Sequence, residues 1–166
     1  MILFEEILER EIGLLDEVEI NTSLSRKPKF GWGNSDELRK VLEVYGEEHY
    51  PMVWCVPRQD SSTDFSGIYT RDMELNLCTR ETRTELLNTV RTDANYSYQK
   101  VLLPLWNSIE RQFELSGSVV VLEDTLRWQL FPDYKLGEQY ETKEIWDVLK
   151  IIVGVQFNNE YVPCIS

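Results

Sequence analysis

Thirteen consecutive residues near the C-terminus, Ile145 to Phe157, alternate as one long β-strand, and only Gly154 among them favours a turn. One side of the alternation is apolar except for Asp147, and consists of Ile145, Leu149, Ile151, Val153, Val155 and Phe157. The other side is mixed and consists of Trp146, Val148, Lys150, Ile152 and Gln156. Because strands usually have about five or six residues, this one predicts a substantial antiparallel sheet and can reach beyond its own subunit.

Two amphipathic helices are predicted to cover the sheet. In the first, apolar residues recur every three or four positions, at Ile2, Leu3, Ile7, Leu8, Ile12 and Leu15. The second is a central helix over 97–115, in which Pro104 is tolerated only within the first turns. We therefore expect its regular part to begin near Leu102 or Leu103. A third, short helix over 36–42 has Asn34 or Ser35 as its candidate cap.

Further strands are predicted on both sides of the central helix, over 52–56, 68–79, 119–122 and 126–131. The first two read as neighbours joined by a long hairpin loop. Polar, turn-rich stretches predict loops or arms at about 21–36, 58–67 and 79–96. For 79–96, a short helix and an extended arm remain equally open. Together these features predict a single α+β domain over residues 1–166, with an antiparallel sheet packed against the N-terminal and central helices.

The chain is acidic, with 29 Asp and Glu against 17 Lys and Arg and a net charge of −12. Such a surface repels phosphate, which disfavours tight wrapping of duplex DNA. Two interpretations of the charge remain. The simpler one is solubility. The more specific interpretation is a surface that lies near DNA without adhering to it, or that binds a basic partner.

The three cysteines, Cys55, Cys78 and Cys164, show no metal-binding spacing, and their odd number argues against a disulfide framework. Cys55 and Cys78 lie in strand-like runs, where a thiol usually acts as a small buried apolar group. A reducing compartment fits best. The N-terminal residues do not resemble a signal peptide, and no apolar run is long enough to cross a membrane.

The sequence predicts no catalytic site, cofactor or metal. Its one histidine, His49, is more typical of a hydrogen-bonded structural residue than of a catalytic base. The Gly31–Trp32–Gly33 motif lacks the rest of a nucleotide fingerprint, so a rigid turn that exposes Trp32 is favoured. Adjacent carboxylates such as Glu123 and Asp124 suit a hard cation, but solvated surface charge is the more frequent role.

Residues for contacts between subunits are easier to nominate. Arg80, Arg83 and Arg91 form the one locally basic stretch and can pair with an acidic face of an identical neighbour, although an ordinary solvated loop explains them equally well. Trp32, Phe65 and Tyr69 are candidate aromatic anchors. Trp54, Trp106, Trp128 and Trp146 all lie on apolar patterns that favour the core. Trp146, in the long last strand, is also included among the candidate interface residues.

The order of these elements resembles a known family. An amphipathic helix over 2–15, a strand over 52–56, a strand around 73–77, a central helix and a closing strand over 146–151 look like the tail-completion and tail-terminator proteins of tailed bacteriophages. The resemblance covers nearly the whole chain, but it rests on element order and strand character without a diagnostic motif. The segments 21–32 and 79–95 are longer than the family minimum.

The resemblance implies a structural virion protein that is assembled in the host cytoplasm and forms a ring of six or twelve copies at the head–tail neck. Its partners would be further copies of itself and neighbouring portal, connector or tail proteins, with DNA passing through the channel without specific binding and no membrane contact. Two alternatives remain from the residues themselves. One is a small acidic inhibitor, immunity-type or DNA-mimicking protein; the other is an enzyme that uses carboxylates alone.

Overall fold

The computed structural model describes residues 3–44, 46–58, 61–62, 68–81, 97–131 and 145–158. Its helices are α1 (Phe4–Gly13), α2 (Ser35–Val44) and α3 (Leu103–Ser116), with a 3-10 turn (Glu47–His49) after α2 and a π-helical segment (Tyr98–Leu102) leading into α3. Its strands are β1 (Val18–Asn21), β2 (Leu24–Arg26), β3 (Lys29–Trp32), β4 (Met52–Val56), β5 (Ser61–Ser62), β6 (Ile68–Glu81), β7 (Val119–Phe131) and β8 (Ile145–Asn158).

The strands form one large sheet in the order β3-β4-β6-β8-β7, with β5 paired to β6, and a separate β1–β2 hairpin. Helices packed on this sheet confirm the α+β class. One detail of the prediction is wrong: β3 and β4 pair in parallel, so the sheet is mixed and not wholly antiparallel. The reason is the connection, since α2 carries the chain from the end of β3 back to the start of β4 as a crossover.

The predicted loop over 21–36 is also wrong in part, because it contains β2 and β3 and the start of α2. Strands of three or four residues are too short to show an alternation in sequence, and pairing with β4 stabilises β3. The predicted arms over 58–67 and 79–96 fall largely outside the described residues. Within the described part, Ser61–Ser62 forms β5, and β6 continues to Glu81.

The long final strand is confirmed. β6 and β8, each of 14 residues, pair antiparallel along their whole length. Alternate residues of both strands face α1 and α3 and form the main core. Its fully buried members include Ile7, Leu8, Met73, Leu75, Leu77, Leu102, Leu105, Val153 and Val155. This burial is the principal stabilising contribution to the fold.

The opposite face of the sheet is covered by α2, which forms a second, smaller core. Leu38 and Leu42 of α2 pack with Tyr50, Met52, Trp54, Cys78 and Val148. Asn34 is the cap of α2: its Oδ1 accepts the backbone N–H of Glu37 at 2.9 Å, and its own N–H donates to Glu37 Oε2 at 2.7 Å. This reciprocal capping box confirms one of the two caps that the sequence predicts.

Asp147, the exception on the apolar side of β8, is completely buried and accepts a hydrogen bond from the hydroxyl of Ser97. Ser97 immediately precedes the π-helical segment that leads into α3. The carboxylate therefore ties the start of the central helix to the last strand. As predicted, the regular helix begins at Leu103, with Pro104 in its first turn. Gly117 ends this helix with a left-handed φ of 65°.

Candidate subunit interface

The sheet has two unlike edges. Among the described residues, β3 pairs only with β4, and β7 pairs only with β8. Four strand spacings of about 4.8 Å separate these edges, so they lie roughly 19 Å apart. An edge strand presents backbone donors and acceptors that another chain can pair with. Each edge also exposes large apolar side chains.

Trp32 lies at the end of the β3 edge and is 56% exposed. Phe30, two residues earlier on the same strand, packs against the main core, so Trp32 lies on the face that α1 and α3 cover. The exposure of Trp32 that the sequence predicts is confirmed. It makes Trp32 available to a partner.

The two glycines that flank Trp32 have a structural role. The indole of Trp54 lies against both: a Cβ on Gly31 would stand 2.7 Å from Trp54 Cζ3, and one on Gly33 would stand 2.8 Å from Trp54 Cζ2. Trp54 Nε1 also donates a hydrogen bond to the carbonyl oxygen of Gly33 at 3.0 Å. The two glycines therefore leave space for the buried indole of Trp54, while the side chain of Trp32 between them is exposed.

The β7 edge exposes Val120 and Trp128, with exposed fractions of 54% and 60%. The prediction that Trp128 lies in the core is wrong, whereas Trp54 and Trp106 are buried as predicted. Trp128 lies opposite Ile151 of β8 and thus on the α3 face, but within the described ranges β7 has a strand neighbour on one side only. Its indole stacks on Tyr98, with ring centroids 6.1 Å apart.

A surface cavity of about 440 Å³ opens beside Trp128. The described residues that line it are Tyr98, Gln99, Trp128, Gln129 and Leu130. Two aromatic rings and one aliphatic side chain give it an apolar wall, and the amide of Gln99 supplies hydrogen-bonding groups, whereas the side chain of Gln129 points to the opposite face of the sheet. It is therefore suited to a flat side chain with one polar atom.

A bulge interrupts the β7 edge, since register with β8 shifts between Leu122 and Arg127. Within it, Thr125 Oγ1 donates to the carbonyl oxygen of Leu122 at 2.7 Å and accepts the N–H of Gly154 at 2.7 Å. A Cβ on Gly154 would stand 3.0 Å from that hydroxyl, which explains the one glycine in β8. The bulge also places the exposed Glu123 and Asp124 on the edge, where charge limits indiscriminate strand pairing.

Exposed charges of both signs lie near each edge, since Asp36 and Glu37 follow β3 at the start of α2 and Arg127 lies on β7. Lys27 and Lys29 are exposed at the start of β3, whereas Glu123 and Asp124 are exposed on the β7 bulge. Glu110 and Glu114 of α3 line a small surface cavity together with Glu123. Partial burial and the two neighbouring carboxylates raise the pKa of Glu110. Glu110, Glu114 and Glu123 thus repel one another where α3 meets the β7 bulge.

Tyr69 and Arg80, two further predicted interface residues that the structure describes, lie on the central strand β6 and not at either edge. Tyr69 is half-buried and stacks on Phe157, with centroids 5.9 Å apart, so it belongs to the margin of the main core. Arg80 is half-buried and lies opposite Trp146 in the β6–β8 register. Phe65, Arg83 and Arg91 lie outside the described residues. Among the nominated residues whose side chains the structure describes, Trp32 alone is exposed on a sheet edge.

Glu74 and Glu11 are two further buried carboxylates with structural partners. Burial opposes ionisation of Glu74, but hydrogen bonds from Lys150, at 2.9 Å, and from Arg58 outweigh it and lower its pKa. Burial likewise opposes ionisation of Glu11, and hydrogen bonds from Gln112, Arg10, Ser118 and Ser116 bring its pKa below the usual value. Glu11 thereby joins α1 to α3, since Gln112 Nε2 lies 2.9 Å from Glu11 Oε2.

Both described thiols are buried, as predicted for Cys55 and Cys78. Desolvation raises the pKa of Cys55 to about 12 and that of Cys78 still further, so neither is a nucleophile at neutral pH. Within the described ranges, no group of three or more His, Cys, Asp or Glu side chains is arranged to hold a metal ion. Over the same ranges, no helix has the length and apolarity needed to cross a bilayer.

The chain matches no model of a known protein family, and no curated protein is significantly similar to it. The candidate interface therefore depends on geometry alone. Sequence reasoning missed the β7 edge, Trp128 and the cavity beside it. One signal was present, because the polar stretch 123–125 between two apolar runs is typical of a bulge, and bulges are frequent on edge strands.

Proposed function

We propose that this chain is a structural subunit of a ring at the head–tail neck of a tailed bacteriophage, as a tail-completion, tail-terminator or connector protein. The observation that carries the proposal is the pair of unlike sheet edges, β3 with Trp32 and β7 with Trp128. A subunit whose two contact surfaces differ associates head to tail, and such association gives a ring when the rotation closes.

The acidic surface supports a position around DNA. A net charge of −12 repels the phosphate backbone, so DNA can pass through the opening of such a ring without adhering to it. The element order of the fold, with an N-terminal helix, a sheet, a central helix and a long closing strand, is the order on which the phage resemblance rests.

The mass of the native assembly tests this proposal. Light scattering or native mass spectrometry at micromolar concentration is expected to give a closed homo-oligomer, with six or twelve copies of the 19.6 kDa chain. Antibody labelling of purified phage particles is expected to mark the neck. A chain that remains monomeric, both alone and with neck proteins, contradicts the proposal.

One observation favours a second candidate, a small acidic binding protein. Glu110, Glu114 and Glu123 present concentrated negative charge on one side of the subunit, as a partner for a basic protein would. This candidate predicts a monomer or dimer that binds a basic nuclease one to one and is released by salt. Oligomeric mass separates the two candidates directly.

A further inference from the structure

We propose that the π-helical segment before α3 is a conformational device that sets the shape of the cavity beside Trp128, with Pro104 and Asp147 as its two positioning residues. Pro104 excludes the α-helical register at this point, and Asp147 fixes the π-helical register in its place. The segment then holds Tyr98 against Trp128. This device lies within one chain, so it does not depend on the proposed ring function.

The chain is already helical before it reaches Pro104. Ser97 has helical backbone angles, with φ −51° and ψ −36°. The backbone N–H of Leu103 then donates to the carbonyl oxygen of Tyr98, five residues earlier, instead of to that of Gln99 as in an α-helix. This turn therefore accommodates one residue more than an α-helical turn does.

Pro104 explains the wider turn. A proline has no N–H, and within an α-helix its ring clashes with the carbonyl group four residues earlier. For Pro104 that carbonyl group belongs to Lys100. The π-helical segment ends directly before Leu103 and so changes the spacing that produces this clash.

Asp147 stabilises the π register from the sheet. It is completely buried, lies opposite Thr79 of β6, and accepts a hydrogen bond from the hydroxyl of Ser97. A buried carboxylate depends on such donors. The side chains that anchor α3 in the main core are Leu105, Trp106, Ile109 and Phe113. If the α-helix continued backwards from this anchor, Ser97 would rotate by about 100°, the angle per residue at 3.6 residues per turn, and would leave Asp147.

The same rotation would alter the cavity. Tyr98 is buried, and its ring stacks on Trp128 with centroids 6.1 Å apart. Both residues line the cavity of about 440 Å³, together with Gln99 and with Leu130 of β7. In the α register, Tyr98 and Gln99 would turn away from Trp128, whereas Leu130 would stay in place. The wall of the cavity therefore depends on the helical register as well as on the side chains.

Fluorine NMR of protein labelled with fluorotryptophan tests the register. Each of the five tryptophans gives one resonance, and Trp128→Phe identifies the resonance of Trp128. Tyr98→Leu removes the stacked ring and supplies the reference position for an unstacked Trp128. The double variant Ser97→Ala with Pro104→Ala removes both restraints on the register. Its Trp128 resonance is expected to move to the Tyr98→Leu position.

A matched control makes the same two kinds of substitution at exposed positions. Ser108→Ala with Pro57→Ala is expected to leave the Trp128 resonance at the parent position, since Ser108 lies on the exposed side of α3 and Pro57 follows β4. The resonance of Trp54, on the opposite face of the sheet, should be unchanged in every variant and so reports an intact fold.

Deletion of Lys100 distinguishes a change of register from damage to the fold. It removes one residue from the π turn, so that the N–H of Leu103 and the carbonyl oxygen of Tyr98 become four residues apart, as in an α-helix. Added to the double variant, this deletion is expected to return the Trp128 resonance to the parent position. Simple loss of the Ser97 contact predicts no such rescue.

A second comparison leaves Ser97 unchanged and does not need the double variant to fold. Deletion of Lys100 with Pro104→Ala should keep the Trp128 resonance at the parent position, because a regular α-helix then makes the same contacts. Deletion of Lys100 with Pro104 retained brings the proline ring against the carbonyl group of Gln99. Its thermal midpoint is expected to lie below that of the deletion with Pro104→Ala.

Three results would overturn this proposal. The first is a folded double variant whose Trp128 resonance stays at the parent position, and the second is a Lys100 deletion that does not restore the resonance there. The third is loss of the parent position when Lys100 is deleted together with Pro104→Ala, and this result decides if the double variant does not fold. None of the three depends on oligomeric mass, so the ring proposal is tested separately.

Discussion

Arg71 Nη1 lies 2.6 Å from Glu5 Oε1, and both side chains are almost entirely buried. The pair joins α1 to β6, and the guanidinium also lies 4.7 Å from the centroid of the Phe4 ring. A buried pair of this kind need not be more stabilising than apolar side chains, but loss of one partner leaves the other charge uncompensated.

Arg71→Met is therefore expected to lower the free energy of unfolding by about 3–5 kcal/mol. Urea denaturation measures the change. The double variant Arg71→Met with Glu5→Gln should recover much of it, because no charge then remains buried. Arg39→Met is the control: Arg39 and Asp36 form an exposed pair at 3.8 Å, and its loss should cost less than about 1 kcal/mol. Equal losses for the two single variants would contradict the structural role of the buried pair.

Glu74 should stabilise the fold in a pH-dependent way. Its pKa is lowered in the fold from an ordinary value of 4.5, so its contribution is present above about pH 4.5 and is lost as pH falls through the folded value. Glu74→Gln is expected to lower stability at pH 7 by about 1–2 kcal/mol, a modest figure because Arg58 and Lys150 reach solvent. Urea denaturation from pH 3 to 7 should show that the free energy of unfolding of Glu74→Gln falls less on acidification than that of the parent. Asp72→Asn, exposed on the same strand, should leave that fall unchanged.

The contribution of Glu110 to stability should depend on pH in the opposite direction to that of Glu74. Its pKa is raised in the fold, so the stability it contributes is present below the ordinary value of 4.5 and is lost as pH rises through the folded value. Glu110→Gln removes an i,i+4 repulsion with Glu114 and should stabilise the isolated subunit at pH 7 by about 0.2–0.5 kcal/mol. Thermal unfolding measures the change. Glu43→Gln, on the exposed face of α2, is the control variant. A destabilised Glu110→Gln would mean that another contact of this carboxylate outweighs the repulsion.

Substitution of Gly31 tests whether the indole of Trp54 needs the space that this glycine leaves. Gly31→Ala places a Cβ 2.7 Å from the indole and should lower the free energy of unfolding by about 1–3 kcal/mol through overpacking. Gly13→Ala is the matched control at the end of α1, where an added Cβ meets nothing within 4 Å. That change should be neutral or stabilising by up to about 1 kcal/mol. Near-ultraviolet circular dichroism should report the displaced indole in Gly31→Ala only.

Much of the fold could be predicted because it depends on local periodicity. The alternation over 145–157 and the apolar stripes of α1 and α3 each reflect one side that must be buried. The start of α3 near Leu103 follows from a single residue, Pro104, whose ring is compatible only with a first turn. These patterns are properties of short segments, so the sequence alone determines them.

The interface depends on relations that short segments do not contain. The sequence of β7 does not reveal that it lies at an edge, so Trp128 shows the pattern of a core residue and yet is exposed. Similarly, β3 is too short for an alternation, and its parallel pairing depends on the crossover through α2. An aromatic such as Tyr69 is half-buried because Phe157 comes from a distant part of the chain.

The sequence by itself determined the class of the protein: an acidic α+β chain with a long closing strand and two covering helices. Only the tertiary structure decided which strands are edges, where Trp32 and Trp128 face, and which charges each edge carries. The physical reason is that burial periodicity is encoded locally, whereas strand order depends on contacts between segments far apart in the chain.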